Sequence, residues 1–162
     1  MKNALLIFAI AAFTLSGIDA APQPRNFGLK VKADGNSRHD KDTVTQTRTL
    51  LLNLSLVGTE PAPDVVVKWT IYGHSRSNHD PITIKSGELK TALVGGKAVE
   101  LTTPEITITG VLEHSESSGS GRRAKSKKVP ASGDEYYGYS VVVMNGSTMV
   151  AEAYSHPSLK SK

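Results

Sequence analysis

Residues 64–73, Asp-Val-Val-Val-Lys-Trp-Thr-Ile-Tyr-Gly, carry the pattern that decides the fold of this chain. Every second residue from Val65 to Ile71 is apolar, and the positions between them include a lysine and a threonine. Successive side chains of a β-strand point to opposite faces, so a period of two indicates a strand with one face in a core. The stretch therefore predicts a half-buried strand that carries Trp69 on its core face.

The same period recurs upstream of this stretch. A run from Phe27 to Ala33 alternates apolar residues with glycine and lysine, and the polar segment 34–37 then breaks it. A second run, 43–57, is rich in threonine, leucine and valine, and a turn at 58–63 separates it from the third strand. Its clearest alternation is formed by Leu50, Leu52, Leu54 and Leu56.

The last two predicted strands flank the dipeptide Asn-Gly at 145–146. Their apolar faces consist of Tyr137, Tyr139, Val141 and Val143 on the first strand, and Met149, Ala151 and Ala153 on the return strand. A two-residue turn would carry Glu152 onto the apolar face, whereas a three-residue loop at 144–146 pairs Val141 with Met149. Burial favours the three-residue loop, because a one-residue slip moves every side chain to the other face.

The middle of the chain allows two strand counts. The glycine pair at 95–96 separates 89–94 from 97–102, which predicts a tight hairpin. Pro104 cannot donate to a β ladder, so it marks an edge, a bulge or a break before the alternation resumes at 106–109. We therefore expect seven or eight strands, depending on whether this region holds one strand or two.

Two later segments show no apolar periodicity. Residues 113–135 are rich in serine and glycine and then basic, which predicts a long flexible loop, and residues 157–162 are expected to form a disordered tail. The fold class predicted for 21–156 is all-β, a single antiparallel β-sandwich of seven or eight strands.

Residues 1–20 read as a cleavable secretory signal peptide. A start with one lysine precedes an apolar run at 4–15, which is too short for a helix to span a bilayer of roughly 30 Å. Ala20 offers a small residue at the cleavage point, and no later segment is apolar enough to span a membrane. We expect the rest of the chain to be exported, and to be periplasmic, attached to the cell surface or secreted.

Composition narrows the possible chemistry. The chain of 162 residues contains no cysteine and has a formal net charge of +4. Disulfides, thiol catalysis and thiolate metal sites are therefore excluded, and the domain must rest on its hydrophobic core. At this length a single core is sufficient to stabilise one domain.

The strand pattern resembles the immunoglobulin-like group, which includes fibronectin type III domains. Trp69 lies in the middle of the third strand, where immunoglobulin domains keep a core tryptophan, and Tyr137 or Tyr139 lies near the start of the penultimate strand, where a tyrosine corner would be. The paired cysteines of antibody domains are absent. The layout is also similar to that of small exported bacterial proteins without an assigned activity. The resemblance implies a β-sandwich and no particular ligand.

Aromatic side chains raise the possibility of a sugar-binding platform. Alternation places Trp69, Tyr137 and Tyr139 on core faces, which leaves Tyr72 and Tyr136 as exposed rings. Core packing is therefore the better interpretation of most of these rings.

Four histidines fall in three loops that would share one end of an up-and-down antiparallel fold. Imidazole and carboxylate groups bind zinc and similar cations, so the candidate metal site comprises His39, His74, His79, Asp80 and His114. No pair of these residues has a characteristic ligand spacing. Ordinary solvated turn chemistry is the alternative, and we expect no cofactor.

A basic run supplies the second candidate site. Arg122, Arg123, Lys125, Lys127 and Lys128 place five positive charges within seven residues, which suits an anionic glycan or another polyanion. The alternatives are a solvated loop and a protease-sensitive site. No aromatic residue lies within the run, so a stacking platform is absent and we expect no nucleic acid partner.

No pattern typical of catalysis occurs in the sequence. Neither a Gly-x-Ser-x-Gly elbow nor a glycine-rich phosphate loop opening a helix is present. The prediction is therefore a non-catalytic exported module of the cell envelope or extracellular space, monomeric, with an unidentified protein or glycan partner. The alternatives are polyanion binding by the basic run and a metal-dependent site in the histidine-bearing loops.

Overall fold

The computed structural model describes residues 26–76, 78–118 and 125–160, with the side chains of His79, Ser118 and Lys125 outside that description. The predicted signal peptide, residues 1–20, also lies outside the described residues. Every strand pairing in the described part is antiparallel, and that part contains no α-helix. Its ten strands are β1 (Asn26–Asp40), β2 (Thr43–Val57), β3 (Ala62–Ser75), β4 (Asn78–Leu93), β5 (Ala98–Thr102), β6 (Ile106–Val111), β7 (His114–Ser118), β8 (Lys125–Val129), β9 (Ser132–Asn145) and β10 (Thr148–Tyr154).

Eight of these strands form one hydrogen-bonded sheet with two halves. In the first half, β2 pairs with β1 on one side and with β5 and β6 on the other. In the second half, β9 lies between β3 and β10, and β4 pairs with the outer side of β3. The halves are joined where the start of β9 pairs with β6, at Gly133 and Gly110.

The core lies between residues of both halves, as the alternating pattern predicts. The four alternating leucines of β2 and the alternating residues Val65 to Ile71 of β3 are buried in one cluster with Val141 and Val143 of β9. Burial of a leucine or valine side chain contributes about 1.5–3 kcal/mol relative to exposure. The predicted core faces of β2 and β3 are therefore confirmed.

The region around Pro104 holds two strands separated by a break. Strands β5 and β6 both pair with β2, one beyond the other, and Thr103 occupies the gap opposite Leu50. The Leu50 N–H donates to Thr103 Oγ1 at 2.9 Å, and the Thr103 N–H donates to the Leu50 carbonyl at 3.1 Å. A side-chain oxygen thus supplies an acceptor at a position where the ladder is interrupted.

The predicted hairpin at 95–96 is wrong. Strand β4 pairs with β3 and strand β5 pairs with β2, so the connection crosses from one half of the sheet to the other. A Cβ on Gly95 would lie 1.7 Å from the Gly58 carbonyl oxygen, and Gly96 has a φ of +74°. Gly95 therefore permits close packing against the β2–β3 turn, and Gly96 provides a positive φ, without forming a hairpin between β4 and β5.

The β9–β10 hairpin has neither of the two predicted registers. Asn145 pairs with Thr148 across a two-residue loop that begins with Gly146 at a φ of +60°. A bulge between Met149 and Ala151 then shifts the register, so that Val143 pairs with Ala151. The bulge keeps the two alanines on the side of the core valines, which a regular ladder of this loop length would not do.

A second bulge reverses the predicted orientation of two tyrosines. The pairing of β9 with β3 slips between Tyr72 and Gly73, where Tyr137 is the extra residue. Tyr136 and Tyr139 pack against the core, and Tyr137 lies on the outer side. The prediction that Tyr137 faces the core and that Tyr72 and Tyr136 are exposed is therefore wrong, since Tyr72 is also buried.

Three segments predicted to be irregular contain regular structure. Residues 34–37 continue β1, which pairs with β2 as far as Asp40. The segment 113–135 contains β7, β8 and the start of β9, so the described residues form ten strands and not the seven or eight predicted, and the tail contains a 3₁₀ turn at Pro157–Leu159. Polar strands paired at the periphery need no apolar face, so they leave no alternation in the sequence.

Candidate functional site

Three connections meet at one end of the sheet, as the predicted antiparallel topology requires. The Leu112 N–H donates to the Asp42 carbonyl in the β1–β2 turn at 2.7 Å. The Arg76 N–H in the β3–β4 turn donates to the Gly133 carbonyl at the start of β9 at 3.0 Å. We call this end, formed by residues 36–46, 74–76, 78–80, 110–114 and 130–136, the pole.

His114 occupies the centre of an electrostatic cluster at the pole. Its Nδ1 donates to the Leu112 carbonyl at 3.0 Å and lies 4.0 Å from the Asp42 carboxylate, and its Nε2 lies 3.6 Å from Glu116. The hydrogen bond to Leu112 raises the pKa of His114 above its ordinary value of 6.5, and Asp42 and Glu116 act in the same direction. These contacts thus stabilise the protonated, imidazolium form of His114.

Of the other predicted metal ligands, His39, His74 and Asp80 do not join His114. His39 is exposed on β1 opposite Val44, and the ring centroid of His74 lies 6.0 Å from that of Tyr137. Asp80 is exposed on β4, the strand that also carries His79. Within the described ranges no group of three or more His, Asp or Glu side chains is placed to hold a metal ion.

Strands β7 and β8 pair in a separate two-stranded ladder, and we call the segment of the chain that they bound, residues 114–129, the arm. Glu116 pairs across it with Lys127, and Lys128 Nζ lies 2.6 Å from the Glu113 carboxylate at its base. Such exposed pairs contribute at most about 1 kcal/mol. The acidic residues lie at the base, and the sequence from Ser117 to Lys128 contains five basic residues and none that is acidic.

The remaining residues of the basic run have limited structural description. Arg122 and Arg123 lie outside the described residues, and Lys125 is described by its backbone alone. Lys127 is exposed. The structure therefore places the C-terminal part of the run on a strand of the arm.

No described residue of the arm belongs to the buried core cluster. The pole beneath it is held by contacts that sequence patterns did not indicate. The Arg76 guanidinium, 13% exposed, lies 3.4 Å from Glu135 and packs over Gly110, whose missing side chain makes room for it. These contacts depend on the meeting of distant segments, so no local sequence signal could have identified them.

A second arginine covers an aromatic ring at the pole. The Arg48 guanidinium lies 4.8 Å from the ring centroid of Tyr136 and donates to the carbonyls of Asn36 at 3.0 Å and Thr47 at 2.7 Å. Burial raises the pKa of the Tyr136 phenol. Cation–π contacts of this kind contribute about 0.5–2 kcal/mol, so this ring has a structural role.

The outer face of β9 is covered by residues 155–160, which we call the C-terminal strap. Ser155 Oγ accepts from the Tyr139 N–H at 2.8 Å, and Leu159 is 1% exposed beside Gly138. The His156 ring centroid lies 4.9 Å from that of Tyr137. The strap therefore covers part of the aromatic surface that a sugar-binding platform would need.

An ion pair fixes the end of the strap to β10. Lys160 Nζ contacts the Glu152 carboxylate, which also accepts from Tyr154 Oη at 3.0 Å. Lys160 is the main cause of the lowered pKa of Glu152, and Glu152 in turn raises the pKa of Lys160. This contact holds the end of the C-terminal strap against β10.

Compared with known proteins, the chain matches no family model, no curated protein and no solved structure. Among the described residues, no helix has the length and apolar character needed to cross a membrane.

Proposed function

We propose that the chain is an exported, non-catalytic interaction module built on an immunoglobulin-like β-sandwich, with the arm as its binding element. Three features support this proposal. The strand order fits the two facing sheets of such a sandwich, the described residues of the arm take no part in the core cluster, and His114 of the pole contacts a backbone carbonyl and two carboxylates.

Strand order supports the sandwich. In immunoglobulin-like domains the first strand pairs with the second and the second with the fifth, whereas the third, sixth and seventh form the other sheet. Here β1, β2 and β5–β6 are neighbours, and so are β3, β9 and β10. If β5 and β6 count as one interrupted strand and the arm as an insertion, seven strands remain. One buried cluster drawn from both halves fits a core between two sheets.

The structure of the arm is the main observation in support of the proposed interaction role. The arm has its own ladder, polar faces and no share in the described core. A polar hairpin of this kind adds little to the stability of a domain, because two-stranded hairpins are marginally stable in water. Surface segments positioned by a rigid scaffold are where binding residues concentrate.

Export is tested by the mature N-terminus. The full chain is expressed in a bacterium with a general secretory pathway, and the protein in the periplasm and medium is analysed by intact mass. The proposal expects a chain that begins at Ala21. Recovery of the full-length chain from the cytoplasm alone would contradict it.

Anionic polymers are the ligand class that the charge of the arm favours. Lys128 contacts Glu113 and Lys127 lies opposite Glu116, but the basic run has five positive residues against these two carboxylates, and no acidic residue lies between Ser117 and Lys128 in the sequence. Such an excess of positive charge attracts sulfated or phosphorylated polymers, and salt screens the attraction. Polyanion binding is thus a second candidate function, and it names a ligand class for the arm that the first proposal identifies as the binding element.

Retention on immobilised heparin tests the polyanion candidate. The test variant changes all five basic residues of the arm to serine. A matched control removes five lysines of the strands and the β4–β5 turn, namely Lys30, Lys32, Lys85, Lys90 and Lys97. We expect the test variant to elute at much lower salt than the control. Equal elution of the two variants would show that net charge, and not the arm, causes retention.

A further inference from the structure

The outer face of β1, β2 and β5 carries a charge arrangement that the proposed function does not use. Register places Lys30, Asn53 and Glu100 in one row across the three strands. The next row consists of Lys32, Leu51 and Thr102. Positive charge therefore lies on β1 and negative charge on β5, on opposite sides of β2.

Leu51 is the apolar centre of this face. Its neighbours in the sequence, Leu50 and Leu52, are buried on the core side, whereas Leu51 is 37% exposed in the middle of a strand. A shallow cavity of about 240 Å³ lies over it, and its lining also includes Lys30, Lys32 and Glu100. An apolar residue surrounded by charged and polar groups is the usual composition of an interface centre and its rim.

From this face we infer that the chain associates with a second copy of itself through β1, β2 and β5. A two-fold axis parallel to β2 places the β1 of one copy over the β5 of the other. Leu51 then packs on Leu51 of the second copy, and each Lys30 faces Glu100 of the second copy. The interface is isologous, as in most homodimers.

The positions of the charged residues favour a two-fold axis parallel to β2 over one perpendicular to the strands. A two-fold axis perpendicular to the strands would stack β1 on β1, so that keeping Leu51 on Leu51 would place Lys32 against Lys32 of the second copy, and no lysine would meet Glu100. Lys30 and Glu100 lie two strands apart, roughly 10 Å at the spacing of a sheet, and neither takes part in an ion pair among the described residues. Each charge therefore remains available to the second copy.

The size of the face sets the strength of association. Three strands at about 4.8 Å spacing, with five residues each at about 3.3 Å, span a few hundred Å² per copy. Stable interfaces bury about 800 Å² per partner. We therefore expect a weak, reversible dimer that forms as concentration rises, and one that is independent of the arm.

Sedimentation equilibrium of the purified chain over a wide concentration range tests the inference. The weight-average mass should rise towards twice the monomer mass, and Leu51→Thr should abolish the rise. The control Val94→Thr changes an exposed apolar residue, 51% exposed, outside this face and should leave association unchanged. Thermal unfolding of each variant verifies that the fold is retained.

Charge reversal separates this interface from any other. Lys30→Glu and Glu100→Lys should each weaken association at least tenfold, because each places like charges in contact. The double variant should restore it, and an equimolar mixture of the two single variants should form a heterodimer. A monomer at all concentrations, or association that survives Leu51→Thr and ignores both reversals, would overturn the inference.

Discussion

Thr103 shows how a single hydroxyl maintains a ladder that proline interrupts. Changing Thr103 to valine keeps the shape of the side chain and leaves the buried Leu50 N–H without its acceptor. An unpaired buried donor costs about 1–3 kcal/mol, so urea unfolding should show a loss of that size. The exposed neighbour provides the control, since Thr102→Val should change stability by less than about 0.5 kcal/mol. Equal stability of Thr103→Val and the wild type would contradict this role.

His114 makes the stability of the pole dependent on pH. Its pKa is raised in the folded state, so protonation favours folding. The stabilisation is complete below the unfolded pKa of 6.5 and is lost as the pH rises through the folded value. An NMR titration should give a midpoint above 6.5 for this ring. The difference in unfolding free energy between the wild type and His114→Gln should be larger near pH 5.5 than near pH 8. An equal difference at both pH values would contradict the claim that the fold stabilises protonated His114.

At the residue scale the sequence predicts orientation wherever the ladder is regular. The leucines of β2 and the alternating residues around Trp69 are buried as their period indicates. The prediction fails at Tyr136 and Tyr137, because one extra residue at a bulge inverts the faces beyond it. A bulge of this kind is set by the partner strand, so alternation within one strand could not reveal it.

The C-terminal strap contributes to the stability of the domain through the buried side chain of Leu159. Leu159 is 1% exposed, and its removal leaves a cavity beside Gly138. Leu159→Ala should lower the free energy of unfolding by about 2–4 kcal/mol, since core leucine truncations cost that much. Val94→Ala truncates an exposed side chain and should cost little. If both variants unfold alike in urea, the strap does not stabilise the domain.

Element prediction succeeded for strands with a buried face and failed for strands without one. β2, β3 and β9 were predicted from their apolar alternation, but β7, β8 and the end of β1 carry polar residues on both faces. Their pairing depends on backbone hydrogen bonds and cross-strand partners such as Glu116 and Lys127. The glycine pair at 95–96 led to the wrong prediction of a hairpin, because close packing and hairpin turns both favour glycine.

At the scale of the whole molecule, topology allowed part of the candidate site to be predicted. Antiparallel parity brought the three connections to one pole, and the hydrogen bonds from Leu112 and Arg76 fit that expectation. Parity does not specify which side chains meet there. His114 lies beside Asp42 and Glu116, while His74 packs on Tyr137. The two arginines that hold the pole, Arg48 and Arg76, became evident only when distant segments were assembled.

The arm is the proposed binding element of the domain, and its described residues lie outside the core cluster. The direct measurement is an NMR titration of the isotopically labelled chain with a heparin oligosaccharide at low salt, followed residue by residue. We predict chemical-shift changes confined to amides of the arm, residues 114–129, that disappear at high salt. Changes centred on the strands of the sheet, or no changes at an oligosaccharide concentration that saturates ordinary heparin-binding proteins, would contradict the account.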